Sequence, residues 1–250
     1  MPLSRVLLSI ALCATATASL ARPLEAACHA SSSYDLTVKD DSLLFDRAGS
    51  APFQVELQQG ALRLDGRAMP VNAENQDRLT LFERDLRALL PKVRAVAQDG
   101  VDLAVQGMRA EADRMQLGAN GRAEFERRLA SHASALKQRI ALSRSTHDWQ
   151  GDAARQAMQQ VAADLLPLLA ADLGQQAIEA ALRGDLQAAA SLRDRAASLA
   201  TDLQPRMEAR MQALQPQVDA LCPAVHELAA LQDGLRDASG RPLHLLQVDP

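Results

Sequence analysis

Residues 207–228 read MEARMQALQPQVDALCPAVHEL, and large apolar side chains recur in this stretch at alternating spacings of four and three. We call these residues the seam: Met207, Met211, Leu214, Val218, Leu221, Val225 and Leu228. A repeat averaging about 3.5 residues places them on one narrow stripe of a helix, which needs a partner helix to shield it from water. Leu235 continues the pattern, and Gln232 stands where it calls for an apolar residue.

A second run with the same period lies earlier in the chain. Its members are Leu79, Phe82, Leu86, Leu89, Val93, Val96 and Leu103, with Gly100 at one step. The two runs bracket the predicted helical region, so each can supply the partner surface that the other needs. Pairing within the chain and pairing with a second copy have the same sequence pattern, and both interpretations stay open.

The composition predicts a mainly helical protein. Nearly half of the 250 residues are apolar, yet aromatic residues make up only 2%. Alanine and leucine favour helices, whereas a large sheet normally contains more aromatic and β-branched residues.

The N-terminus resembles an export signal. Arg5 precedes the apolar residues 6–12, and small residues lead to Ala21, where we expect cleavage, with residue 27 as the latest alternative. The apolar core is well short of the roughly 20 residues that span a bilayer, and no later segment is predicted to span one. We therefore expect an exported, soluble protein.

The charge of the mature chain argues against nucleic acid as a partner. Without residues 1–21 the chain has 26 basic and 31 acidic residues, a net charge of −5 with neutral histidines. Binding to phosphates needs Lys and Arg clustered on one face, but here they are scattered among acids.

Two cysteines, Cys28 and Cys222, remain after removal of the signal. In an exported protein such a pair predicts a disulfide. Two alternatives are a free thiol acting with His29 and lipidation of Cys28, although Glu25 stands where a lipidation motif has an aliphatic residue.

Residues 34–72 alternate between apolar and polar, which predicts short strands at 34–38, 42–46, 53–57, 61–64 and 67–71. Asp65-Gly66 is a tight hairpin signal, and Pro70 predicts an edge strand. These strands make an antiparallel meander that needs a packing partner, and the helices are the candidate. The tail at 243–248 is expected to join the meander or to remain frayed.

Several long helices are predicted after the meander. The first is capped by Asn72 or Asn75 and is kinked or restarted at Pro91. After a turn at 118–121, the second buries one face. That face comprises Phe125, Leu129, Leu136 and Ile140. The third is predicted to run from Asp152 to Gly174 with a kink at Pro167, and a short helix follows at 178–182.

The last segment, 186–235, contains Pro216 and Pro223, both on the side opposite the seam. We predict one long helix bent around its neighbours, with several short helices as the alternative.

Candidate chemistry is sparse. His226-Glu227 begins like a zinc-protease helix, but Ala230 replaces the second histidine. His132 is expected to be a partly buried polar residue, and His147-Asp148 beside Trp149 a helix cap and an anchor. Five methionines are interpreted as core filling or as an adaptable groove: Met108, Met115, Met158, Met207 and Met211. No catalytic residue, cofactor or metal site is predicted.

Several landmarks follow one another along the chain: Cys28, the strand pair around 60–66, the stretch 84–91, Gly100-Val101, and Cys222 followed by Leu228. Their order resembles the YggN-like family of Gram-negative envelope proteins, the domain of unknown function 2884. The resemblance implies a periplasmic location and transfers no catalytic residue, because the family has no established activity.

We therefore expect a mainly α (α+β) protein in which a small N-terminal meander packs on long amphipathic helices, with one long-range disulfide. The predicted division is a signal at 1–21, a meander at 28–72, a helical bundle at 73–237 and a tail at 238–250. A non-enzymatic scaffold or binding module for another envelope protein, conceivably chaperone-like, is favoured. The seam is the candidate surface for such a partner or for self-association. A carrier of small ligands or lipids and an unrecognised enzyme are the alternatives.

Overall fold

The computed structural model describes residues 27–149 and 151–248, without the side chains of 151–155, 157, 158, 198–202 and 204. The predicted signal at 1–21 lies outside the described residues. The chain divides into two compact units. Of the described residues, the first comprises 27–85, 145–149, 151–158 and 218–248, and the second comprises Leu86–Arg144 and Gln159–Gln217.

The first unit contains the predicted meander. Its strands are β1 (Ala30–Ser31), β2 (Asp35–Val38), β3 (Leu43–Asp46), β4 (Gln54–Gln58), β5 (Ala61–Leu64), β6 (Arg67–Met69) and β7 (Gln247–Val248). Strands β2 to β6 form one antiparallel sheet in sequence order, so β6 is an edge strand as Pro70 predicted. Both expectations for the tail were wrong, because β7 pairs with β1 outside the meander.

Alternation gives the meander one buried face. Leu43, Leu57 and Leu62 form one cross-strand row, and Phe45, Val55 and Leu64 form the next. All six side chains are buried. The sheet packs on the first helix, where the ring centroids of Phe45 and Phe82 lie 6.1 Å apart. This burial supplies the apolar contact that so thin a sheet needs.

Six α-helices and two short 3₁₀ helices account for most of the helical residues that the structure describes. The α-helices are α1 (Ala73–Met115), α2 (Ala119–Leu142), α3 (Gly151–Leu182), α4 (Leu186–Met211), α5 (Gln215–Asp219) and α6 (Cys222–Leu231). The 3₁₀ helices are Thr146–Trp149 and Gln212–Leu214.

Helix α1 begins as predicted, since the side-chain Oδ1 of Asn72 accepts the backbone N–H of Asn75 at 2.8 Å. It does not restart at Pro91, which lies on its exposed side. A proline removes one backbone hydrogen bond, and packing along a helix of 43 residues outweighs that local loss.

The end predicted for the third helix was also wrong. Helix α3 continues through Gly174 to Leu182, and Asp152 lies inside it rather than at its cap. An interior glycine costs about 1 kcal/mol, and the burial of Leu173 and Ala180 on either side offsets this.

The long bent helix predicted for 186–235 is instead broken. Helix α4 ends at Met211, and α5 and α6 follow as short helices. Pro216 and Pro223 lie in the first turns of α5 and α6. A first-turn residue has no intrahelical partner for its N–H, so proline favours starting a helix there over bending one.

The second unit has one core to which α1, α2, α3 and α4 each contribute. Its buried members are Ala112, Met115, Phe125, Leu129, Leu165, Leu169, Leu173 and Leu192. The carboxylate of Asp172 in α3 accepts the backbone N–H of Gly118 at 3.0 Å and so stabilises the start of α2.

Two hairpins of the meander provide a matched test of glycine packing. Gly60 and Gly66 hold the same turn position and the same φ of +79°, but only Gly60 lies against a helix. A Cβ at Gly60 would lie 2.6 Å from Oγ1 of Thr80 and 2.7 Å from the carbonyl oxygen of Gln76. At Gly66 it would meet nothing within 4 Å.

We expect Gly66→Ala to lower the free energy of unfolding by about 1 kcal/mol, the cost of a left-handed alanine. Gly60→Ala should cost a further ~1–3 kcal/mol, because the added methyl displaces α1. Urea unfolding of the two variants measures the difference. Equal losses in free energy of unfolding would show that the contacts of Gly60 with Gln76 and Thr80 add nothing to the cost of the substitution.

Candidate functional site

Cys28 and Cys222 form the predicted disulfide across 194 residues of sequence, with their Cα atoms 5.0 Å apart. A sulfur in this bond is not available for lipidation or as a nucleophile, which removes both alternatives for Cys28. His226, from the incomplete zinc motif, is hydrogen-bonded through Nε2 to the carbonyl oxygen of Cys28 at 2.9 Å. Its side chain therefore supports the N-terminal segment.

The seam is divided between the two units. Leu214, Val218, Leu221, Val225 and Leu228 are all at most 8% exposed, while Met207 and Met211 are half-buried. In the second unit a Cβ at Gly107 would lie 2.5 Å from Sδ of Met207, and one at Gly100 3.4 Å from Cε of Met211. Gly100 of the first run, and Gly107 four residues beyond its last member, thus admit methionines of the seam, which favours pairing within the chain.

Two other methionines pack within the second unit. Met115 is buried in the core of the second unit and Met108 packs against it, whereas the side chain of Met158 lies outside the described residues. His132 is half-buried and hydrogen-bonded through Nε2 to Oδ2 of Asp164 at 2.8 Å. That bond lowers the pKa of Asp164.

Gln232, the polar residue that interrupts the apolar pattern, forms three hydrogen bonds. It is 4% exposed, and its Oε1 accepts the backbone N–H groups of Leu245 at 2.7 Å and Leu246 at 3.0 Å. Its Nε2 donates to the carbonyl of Leu246. A polar residue stands on this face because it holds the tail that leads into β7.

Gln232→Leu is therefore expected to release the tail. The leucine leaves three backbone groups unpaired, which costs about 1–3 kcal/mol for a buried group. Amide hydrogen exchange at Leu245 and Leu246 should accelerate about tenfold or more. The exposed Gln217→Leu is the control and should leave exchange there unchanged. Unaltered exchange in Gln232→Leu would show that the tail is held by other contacts.

One group of ionisable side chains, Asp35, Asp46 and His147, has the composition of a binding site. Asp35 and Asp46 are direct cross-strand partners on β2 and β3. The imidazole of His147, from the 3₁₀ helix Thr146–Trp149, places Nε2 3.0 Å from Oδ2 of Asp46 and Nδ1 3.5 Å from Oδ2 of Asp35. We call these three residues the acid–histidine cluster.

The environment of His147 stabilises its protonated form. The hydrogen bond to Asp46 raises the pKa of His147, and the negative charges of Asp35, Asp46 and Asp148 act in the same direction. Sequence reasoning paired His147 with Asp148, but Asp148 instead accepts the backbone N–H of Ser145 at 3.3 Å. Its carboxylate thus serves as the predicted cap, and the sheet supplies the carboxylates that contact the ring.

A second candidate is the set of exposed apolar side chains on either side of the turn between α3 and α4: Ile178, Leu182 and Leu186. We call it the apolar turn. These side chains are 58%, 83% and 73% exposed. The neighbouring Ala180 and Leu192 are buried, whereas the three side chains of the apolar turn are exposed and do not belong to the core.

Local hydrogen bonds fix the backbone of the apolar turn. Gly184, at φ +79°, donates its N–H to the carbonyl of Ala181 at 2.9 Å, and Asp185 donates its N–H to that of Ala180 at 2.9 Å. This pair of bonds ends α3 in a Schellman motif. The carboxylate of Asp185 then accepts the N–H of Ala188 and caps α4. The apolar turn is therefore presented on an ordered backbone.

A half-open cavity of about 370 Å³ lies at the surface of the first unit beside edge strand β6. Met69, Pro70 and Val71 line one side, and Leu235 and Arg236 line another. Its volume falls within the range of small-molecule sites, and its lining is partly polar.

The fold and these sites define a class: a mainly helical, disulfide-linked protein with a small antiparallel meander. The family model described as a protein of unknown function, DUF2884, matches residues 28–244, and the chain belongs to this family. No curated protein and no solved structure matches the chain. Among the described residues, no helix is long and apolar enough to cross a membrane.

Proposed function

We propose that the mature protein is a non-enzymatic, periplasmic binding module that holds apolar segments of another envelope protein at the apolar turn. One observation carries the proposal. Leu182 and Leu186 are the two most exposed large apolar side chains among the described residues, and they lie at opposite ends of one turn. Contiguous exposed apolar surface commonly marks a binding site.

The seam is a weaker candidate for the partner surface. Five of its seven side chains are buried within the chain, so a partner would have to displace existing packing. The apolar turn needs no such rearrangement, and its hydrogen-bonded backbone lowers the entropy lost on binding.

The size and charge of the apolar turn favour a segment of another protein over a second copy or a lipid surface. Three such side chains offer on the order of a few hundred Å². A stable dimer buries roughly 1,200–2,000 Å² in total. Glu179 and Asp185 balance Arg183 and Arg193, so the charge gives no attraction to anionic lipid. Transient binding of an apolar segment fits these properties.

Export supports this assignment. The disulfide between Cys28 and Cys222 is of a kind that persists in oxidising compartments. The predicted signal at 1–21 directs the chain to such a compartment. Cys28 is the first residue that the family model matches. The predicted division into signal, meander, bundle and tail belongs to this proposal.

The test measures binding of fluorescently labelled, carboxymethylated α-lactalbumin, a permanently unfolded protein, to the disulfide-intact mature chain. The double variant Leu182→Ser with Leu186→Ser should bind at least about tenfold more weakly, because it removes most of the apolar surface of the turn. The matched control is Leu142→Ser with Leu166→Ser, which also replaces two exposed leucines, 70% and 44% exposed. Its affinity should stay within about twofold of the unmodified chain.

Two results would contradict the proposal: no binding by the unmodified chain, or equal weakening in both double variants. Sizing of the free protein adds a third measurement. A stable dimer that dissociates only in Leu182→Ser with Leu186→Ser would assign the apolar turn to self-association instead.

The cavity beside β6 supports a second function, carriage of a small amphipathic ligand. Leu235 and Met69 offer an apolar wall, and Arg236 lies beside them. A fluorescent fatty acid should then bind to the unmodified chain, and Val71→Trp should abolish binding by filling the cavity. Binding that survives this substitution would place the ligand elsewhere.

A further inference from the structure

We propose that the acid–histidine cluster binds a divalent transition-metal ion, with Zn²⁺ as its best-suited occupant. The proposal is independent of the apolar turn. It stands on the placement of two carboxylates and one imidazole from three separate elements, with one donor atom from each residue within 4.8 Å of the others.

The strand register brings the two carboxylates together. Asp35 and Asp46 are direct partners in the β2–β3 pair, so their side chains leave the same face of the sheet. Like charges that face each other directly across strands are destabilising unless a cation lies between them. The sheet therefore fixes a pair of oxygen donors at a place that favours positive charge.

Contacts other than the ion pairs hold the histidine segment beside these carboxylates. The Oγ1 of Thr146 accepts the backbone N–H of Leu36 at 2.9 Å. Ser145 forms an isolated antiparallel bridge with Thr37, and their hydroxyl oxygens lie 3.0 Å apart. The backbone before His147 is thus attached to β2 independently of the ion pairs, and this attachment keeps the imidazole beside the two carboxylates.

One carboxylate is also oriented by an outer neighbour. The hydroxyl of Thr146 donates to Oδ1 of Asp35 at 2.9 Å and leaves Oδ2 facing the imidazole. Outer hydrogen bonds of this kind fix the orientation of ligands in metal sites.

The donor set selects the ion. One nitrogen and two carboxylate oxygens suit Zn²⁺, whereas Ca²⁺ and Mg²⁺ prefer oxygen-only sites with more ligands. Bonds of about 2.0–2.1 Å give a tetrahedron with edges near 3.3 Å. Asp46 faces Nε2 of His147 and Asp35 faces Nδ1, so the ring or one carboxylate must rotate until both carboxylates approach the same nitrogen. His147 is 53% exposed and Asp46 36%, which leaves the remaining position to water.

The test is calorimetric titration of the disulfide-intact mature chain, first stripped with a chelator, with ZnCl₂. We expect one Zn²⁺ per chain with a Kd below about 100 µM, unaffected by 1 mM Ca²⁺ or Mg²⁺. His147→Ala and the shape-conserving Asp46→Asn should each weaken binding at least about tenfold. His132→Ala is the matched control, because His132 pairs with a single carboxylate, Asp164, and should leave the affinity unchanged.

Co²⁺ supplies a second readout, since a tetrahedral site gives it a strong visible absorption that His147→Ala should abolish. The proposal is overturned if the unmodified chain takes up no Zn²⁺ below 1 mM. It is equally overturned if His147→Ala and Asp46→Asn, folded by circular dichroism, bind as tightly as the unmodified chain, because the ion would then lie at another histidine.

Discussion

Cys222→Ser should lower the free energy of unfolding of the first unit by about 5 kcal/mol in the chain-entropy model. The disulfide spans 194 residues, so its loss restores a large conformational freedom to the unfolded chain. The same bond holds the N-terminal segment against α6, where His226 binds the carbonyl of Cys28. Losses of about 2–5 kcal/mol are typical when a small exported domain loses a native disulfide.

The measurement is urea unfolding followed by the fluorescence of Trp149, the single tryptophan of the chain, which lies in the first unit. The reduced, unmodified chain should unfold at the same urea concentration as Cys222→Ser. Cys28→Ser should match both, and the double variant should add nothing further. A loss under about 1 kcal/mol would show that packing alone holds the first unit closed.

Phe125→Ala is expected to produce the second-largest loss, about 3–5 kcal/mol, in the second unit. Phe125 is fully buried among core residues of all four helices, so truncation removes apolar contacts and leaves a cavity. Far-UV circular dichroism during urea unfolding measures the effect.

A second phenylalanine, Phe53, provides the control for Phe125→Ala. Phe53 is 53% exposed, and Phe53→Ala should cost less than about 1 kcal/mol. Similar losses in the two variants would mean that the core around Phe125 collapses to fill the space.

Much of the fold could be predicted from the local spacing of apolar residues, because burying one face of a strand or helix requires apolar residues at regular intervals. The alternation of residues 43–45, 55–57 and 62–64 identified the buried face of the meander, and two cysteines identified the disulfide. The predicted secondary structure was wrong where another constraint outweighed the periodic spacing of the apolar residues. The seam kept its spacing across Pro216 and Pro223, but the missing N–H of each proline separated the segment into short helices.

The pairing of β1 with β7 had no signal in the sequence. Each strand has two residues, and the partners Ala30 and Val248 lie at opposite ends of the chain. Gln232 was visible as an interruption of the apolar pattern, but its backbone partners at 245 and 246 lie outside its helix.

The acid–histidine cluster was half predictable. Two of its members lie on adjacent predicted strands, and the hairpin register places Asp35 opposite Asp46. His147 follows Asp46 by 101 residues and joins it only in three dimensions. Sequence reasoning therefore found the histidine and assigned it to its nearest acid, Asp148.

The β1–β7 pair and the disulfide also set the order in which a newly made chain can finish folding. Synthesis runs from the N-terminal to the C-terminal side, so Cys28 and Ala30 are made long before their partners Cys222 and Val248. The second unit is complete once residue 217 has been added. The first unit therefore keeps Cys28 and Ala30 unpaired until Cys222 and Val248 have been made, so truncation before Val248 would leave β1 without its partner strand.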